Sequence, residues 1–143
     1  MLKQFLFGFT LAAMTAGVIP ASNAAETGLA PQVSNERSIK VTVAPKSLSQ
    51  EAKTWDFEVK LETHTQDLSD DLAKSSILIA DGKQYLPIGW EGATPGGHHR
   101  KGSLHFKAIT PQPPSVELQI RLTGDAAPRS FRWVLKGEED HGK

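Results

Sequence analysis

The chain has 143 residues, with 16 basic and 16 acidic side chains and five histidines, so its formal net charge near pH 7 is zero. That balance gives no footing for a nucleic acid or an anionic membrane as partner. The chain has no cysteine, which excludes disulfides, thiolate metal sites, cysteine nucleophiles and a lipoprotein anchor.

In chain order the first element is an export signal, residues 1–24. Lys3 is the one charge before an apolar run from Phe5 to Ile19, and Pro20-Ala21-Ser22-Asn23-Ala24-Ala25 follows with a breaker and small residues. The run is about 15 residues, short of the roughly 20 that a membrane-spanning helix requires, and no later segment is apolar enough to span. The expected product is an exported protein, periplasmic or extracellular, that begins at Ala25. Removing the signal takes away Lys3, both methionines and three of the six phenylalanines. A methionine-rich copper(I) site is thereby excluded. About 119 residues remain, enough for one domain and not two.

Residues 25–37 read as a polar lead-in without packed structure. From residue 38 the sequence alternates with period 2, the mark of strands with one face buried. Ile39, Val41 and Val43 predict a strand over 38–43; Trp55, Phe57, Val59 and Leu61 predict one over 54–63. Leu68 to Ala73 can form one helical turn. Ile77-Leu78-Ile79-Ala80 is continuously apolar and predicts a central strand over 76–80, followed by a short strand over 84–88. Leu104 and Phe106 predict a strand over 102–107, the series Val116 to Leu122 one over 115–122, and Phe131, Trp133 and Leu135 one over 129–135. Breakers separate them at Pro45, Asp81-Gly82, Gly92 to Gly97, Pro111 to Pro114 and Gly124 to Pro128. Seven short strands within 38–136 predict an all-β fold, an antiparallel immunoglobulin-like β-sandwich, with a closed barrel as the alternative. Residues 137–143 are an acidic tail with too little apolar character to pack.

The densest chemistry lies in two loops. Gly89 to Gly102 carries Trp90, Glu91, Gly96, Gly97, His98, His99, Arg100 and Lys101; Thr63 to Leu72 carries His64, Asp67, Asp70 and Asp71. If the strands over 54–63 and 102–107 pair antiparallel, the end of one meets the start of the other, and His64 comes beside His98 or His99. Three readings follow. The glycines can serve a plain turn, with Trp90 capping the core. His64, His98 and His99 can bind zinc or copper(II), helped by Glu91 or a loop aspartate, since neutral imidazoles suit those metals. Or Trp90, Glu91, Gly96, Gly97, Arg100, Lys101 and the histidines form a recognition loop for an exported protein partner or a small anion. Calcium is disfavoured, because the spacing of an EF-hand loop is missing.

The set Trp55-Asp56-Phe57, Thr63-His64, Asp71-Leu72, Gly89-Trp90, Pro95-Gly96-Gly97-His98-His99-Arg100 and Gly102-x-Leu104-x-Phe106 resembles small exported prokaryotic domains of unassigned function. The Gly-x-Leu-x-Phe strand also looks like that of telokin-like immunoglobulin domains. The resemblance spans roughly 38–136, implies the sandwich fold and brings no catalytic residue with it. No Gly-x-Ser-x-Gly elbow, His-Glu-x-x-His helix or phosphate-cradling glycine motif occurs. Ser103 and His105 share a strand face without a third group to orient them. The sequence therefore favours a non-catalytic binding domain, with a metal site as the alternative and an enzyme behind both.

Overall fold

A computed structural model describes residues 29–135. The expected export signal, the expected new terminus at Ala25 and the acidic tail with His141 lie outside the described residues. The elements are β1 (Gln32–Glu36), β2 (Ile39–Ser47), β3 (Thr54–Thr63), the short helix α1 (Leu72–Ser75), β4 (Ser76–Ala80), β5 (Lys83–Tyr85), β6 (Gly89–Gly92), β7 (His99–Lys107), β8 (Ser115–Ile120) and β9 (Arg129–Val134). They form two antiparallel sheets, ordered β1-β2-β3-β7-β6 and β5-β4-β8-β9. No helix among the described residues is long and apolar enough to cross a membrane.

One core lies between the sheets, and alternation builds it. Trp55, Phe57, Val59 and Leu61 of β3 and Leu104 and Phe106 of β7 are all buried from one side. Leu78, Val116, Leu118, Ile120, Phe131 and Trp133 meet them from the other. Phe57 spans the gap, with its ring centroid 5.7 Å from Phe106 and 5.6 Å from Trp133. The intervening Lys60 and Arg132 are exposed, while Glu62, His105, Glu117 and Gln119 are half-buried on the outer faces. Burial of these large side chains, at roughly 25 cal/mol per Å² of apolar surface removed from water, is the main favourable contribution.

Among the described residues nine strands form where seven were expected, and each difference has a physical cause. β1 lies inside the supposed polar lead-in; its side chains carry no apolar alternation because it is an edge strand held by main-chain pairing to β2. Its Gln32 carboxamide donates to the Arg132 carbonyl and accepts from the Arg132 N–H, so a side chain covers that part of the β9 edge. The turn between β1 and β2 sets Arg37 and Ser38 at φ 54° and 63°, a conformation that side chains resist. Arg37 is held there by bonds to Thr123 O and Asp125 Oδ1, both at 3.3 Å, and by a reciprocal pairing with Gln66.

β2 runs through Pro45 rather than ending before it, because its register against β3 shifts between Pro45 and Ser47 and the bulge accommodates the missing N–H. The expected strand over 84–88 stops at Tyr85. Leu86 to Ile88 crosses from one sheet to the other, and Gly89 to Gly92, expected in a loop, pairs with β7 as the edge strand β6. The helical turn starts four residues later than the expected Leu68 to Ala73, at Leu72–Ser75, capped by Asp71 accepting from the Ala73 N–H at 3.1 Å. The outer face of β4 is half-buried at Ile77 and Ile79.

At the start of β9 an arginine occupies an inward position. Arg129 is buried and donates to Ile39 O at 2.7 Å, Glu36 O at 2.9 Å and the Asp125 carboxylate at 3.0 Å. The Asp125 side chain is only 1% exposed. Burial alone would raise its pKa, but bonds from Arg129, the Leu122 N–H and Arg37 outweigh that and hold it below the ordinary value. A depressed pKa stabilises the fold above the unfolded value, about 3.9 for Asp, and that contribution is lost as pH falls through the lower folded value. Asp125→Asn is therefore expected to cost about 1–2 kcal/mol at neutral pH. The gap from wild type in urea unfolding should narrow in acid.

Candidate functional site

Both loops singled out in the sequence lie at one end of the two sheets, and they touch. The Thr63 N–H donates to His98 O at 3.0 Å, extending the pairing of Glu62 with His99 by one residue beyond the strand. Further on, the Leu68 N–H donates to Gly97 O at 2.9 Å, the Gly96 N–H to Leu68 O at 2.7 Å and the Gly97 N–H to Asp67 Oδ1 at 2.9 Å. Gly96 and Gly97 lie at φ 119° and 82°, which lets their N–H groups turn toward the neighbouring loop. Leu68 and Leu72 are buried and anchor the second loop to the core.

Arg100 fastens both loops from beneath. β7 begins at His99 rather than 102, so Arg100 is a strand residue on the inward face, paired with Leu61 and 2% exposed. Its guanidinium donates to Leu68 O at 3.2 Å, Asp70 O at 2.7 Å and Ala93 O at 3.3 Å. It also lies 5.6 Å from the centroid of the Trp90 ring. Burial pulls its pKa down, against the opposing charges of Asp70 and Asp71. Arg100 was expected to reach a partner or an anion. It instead faces the interior, because main-chain carbonyls of two loops converge there and require donors.

Trp90 is likewise part of the scaffold: it packs on the core and its indole donates to Ala93 O at 2.9 Å. Gly92 and Gly102 make the close approach of β6 to β7. A Cβ on Gly102 would lie 2.5 Å from Glu91 O, and one on Gly92 would lie 2.4 Å from the Gly102 Cα. Lys101 and Glu91 turn to the outer face of the five-stranded sheet, where Lys101 meets Glu58 at 3.5 Å and Glu91 meets His105.

Outward at this end lie His64, Thr65, Asp67, Ser69, Asp71, Thr94, Pro95, Gly97, His98 and His99, all exposed. His64 lines an open depression of about 410 Å³ with Asn35, Ser38, Lys40 and Thr65. His99 lines a smaller one of about 140 Å³ with Lys60 and Lys101. Glu62 borders both depressions. Its carboxyl is held below its ordinary pKa first by the bond from Lys60. The main chain pairs Thr63, the residue before His64, with His98. Among the described residues no group of three His, Cys, Asp or Glu side chains could hold a metal ion.

Two further connections, which the sequence did not single out, complete this end. Asp70 accepts from the Thr123 N–H and hydroxyl, at 3.2 and 2.8 Å, and so ties the loop after β3 to the β8–β9 connection. Arg37 ties the β1–β2 turn to the same connection. One signal was available. Arg100 and Arg129 fall on the inward parity of their strands, where a charged residue has to find buried partners.

His105 stands apart from these loops, on the outer face of β7. Its Nδ1 lies 2.6 Å from Asp56 Oδ1 and its Nε2 lies 2.9 Å from Glu91 Oε1. The nitrogen that would serve a nucleophile is thus occupied by a second carboxylate, so Ser103 and His105 do not assemble a Ser-His-Asp arrangement. Comparison with known proteins found no matching family model, no matching characterised protein and no matching solved structure.

Proposed function

We propose that this chain is a non-catalytic, exported binding domain of immunoglobulin-like type, and that it recognises a protein partner through the platform built by the loops at 64–71 and 93–98. The sheet order supports the immunoglobulin-like reading. With β2, β3, β4, β5, β6, β7, β8 and β9 taken as strands A, B, C, C′, D, E, F and G, the sheets read A-B-E-D and C′-C-F-G, with β1 as an added edge. The resemblance of the Gly102-x-Leu104-x-Phe106 strand to telokin-like domains points the same way.

The observation that carries the functional reading is the joining of the two loops, main chain to main chain, over a buried Arg100, with His64, His98 and His99 left exposed above it. A preorganised loop pair loses little conformational entropy on docking, which is what a recognition surface needs. With the guanidinium spent on internal carbonyls, a small anion has lost its strongest expected donor. A protein surface, read by imidazoles and by the exposed Thr94-Pro95 segment, is the better fit.

The test is site-specific photo-crosslinking in the native host. A photoreactive residue at position 98 or 65 is expected to give a discrete adduct, and one at Gln50, in the β2–β3 connection at the opposite end, none. A His98→Ala, His99→Ala variant that folds normally should lose the adduct from position 65. Equal labelling from both ends, or from Gln50 alone, would overturn the reading.

A further inference from the structure

We infer that His105 is a proton-operated clasp on the edge strand β6, closed when the imidazole carries both protons and loosened when it carries one. The geometry is the ground for it. Asp56 on β3 and Glu91 on β6 each present a carboxylate oxygen to a different nitrogen of one ring, at 2.6 and 2.9 Å. A carboxylate only accepts, and only imidazolium has an N–H on both nitrogens. A neutral ring can satisfy one acid at a time, and its bare nitrogen then faces the lone pairs of the other.

The charged groups around the ring are few. From β3 the facing charges are Asp56 and, across from the uncharged Ser103, Glu58, which meets Lys101 at 3.5 Å; from β6 it is Glu91, and Lys107 shares its face two residues along β7. Directly across, Gly89 on β6 and, beyond Asp56, Ser47 on β2 bring none. Hydrogen bonding to Asp56, and then to Glu91, outweighs the desolvation of the half-buried ring and raises the pKa above its ordinary 6.5. The sign follows from that direction. The stabilisation is fully present below the unfolded value and disappears as pH rises through the higher folded one.

Glu91 is the partner that lets go, because its side chain is 79% exposed where that of Asp56 is 35% exposed. The strand it belongs to is four residues long and has only β7 to pair with. Releasing Glu91 removes the one side-chain bond among the described residues that ties β6 across β7 to β3. β6 also runs directly into the 93–98 loop, so the clasp would regulate recognition at that loop; this last consequence rests on the platform reading, and the clasp itself does not.

The experiment therefore needs no partner. Amide hydrogen exchange reads the opening of β6 at Ile88, whose N–H donates to His105 O at 2.6 Å, and at Ala93, whose N–H donates to Lys101 O at 3.1 Å. In the wild-type chain, protection at these amides, corrected for the intrinsic rate, should fall about two- to fivefold between about pH 6 and about pH 9, the range that a partly exposed ion pair supplies. Protection in the β2–β3 ladder should stay level. His105→Gln should remove the pH dependence. Glu91→Ala, which leaves the buried side of the sheet untouched and removes both acceptor and donor, should give the low, pH-independent value throughout and lower the imidazole titration midpoint seen by NMR. Protection at β6 that ignores pH in the wild type, or the same pH dependence in His105→Gln, would overturn the clasp. If the clasp holds while position 98 yields no adduct, the platform reading fails alone.

Discussion

Arg100→Ala is expected to cost about 3–4 kcal/mol of folding stability, although the residue is charged and sits next to a surface loop. The side chain is 2% exposed and donates to the carbonyls of Leu68, Asp70 and Ala93, which belong to two different connections. Truncation leaves those acceptors without their donor and opens a void beneath Trp90. Arg100→Met separates the two contributions, since it restores most of the volume and none of the hydrogen bonds. It should recover less than half of the loss. Urea unfolding measures both variants, and amide exchange at Gly96 and Gly97 should report whether the loop pair comes apart first. A cost for alanine below about 1 kcal/mol would mean that the guanidinium is dispensable and that the platform has no rigid base.

How much of this was legible in the sequence depends on where the information is stored. The alternation of Trp55, Phe57, Val59 and Leu61 with charged residues fixed both the position and the facing of β3, whose observed bounds Thr54–Thr63 match the expected 54–63. β4 at Ser76–Ala80 is likewise where its apolar run lies. These are local signals, repeated every second residue, and burial of one face leaves a single register. β1 and β6 carry no such signal. Gln32 to Glu36 and Gly89 to Gly92 are strands because β2 and β7 offer them free edges, a property of their neighbours and not of their own residues.

The end of the molecule that carries the candidate site shows the same division. Meeting of the loops followed from pairing the strands over 54–63 and 102–107, and the main chains do meet at Thr63 and His98. A strand starting at 102 leaves Arg100 in the loop, whereas β7 starts at His99 and turns Arg100 inward. Extending the alternation of Leu104 and Phe106 backward by two steps puts Arg100 inside, and the same count puts Arg129 inside with Phe131 and Trp133. The Asp56-His105-Glu91 arrangement depends on the register of β6, and Gly89 to Gly92 carry no alternation from which that register follows.

Trp133→Ala should be the most damaging single change, at about 3–5 kcal/mol for a large aromatic removed from a core. Trp133 is 2% exposed and stands in β9 where the two sheets meet, with ring centroids of Phe57 at 5.6 Å and Phe131 at 6.5 Å. Its indole also donates to Ala30 O at 2.7 Å, which fastens the segment leading into β1 along the side of β9. Two effects are therefore combined, loss of packing between the sheets and release of that segment. Trp133→Phe divides them, because phenylalanine keeps much of the apolar contact and cannot donate. It should cost about 1–2 kcal/mol in total. With the phenylalanine, exchange should quicken at β1 amides while those of β3 stay protected; with the alanine, both should lose protection together as global stability falls. Denaturant unfolding with matched exchange measurements checks the pair. A Trp133→Ala cost below about 1 kcal/mol would remove the residue from the core and with it the packing of β9 against β3.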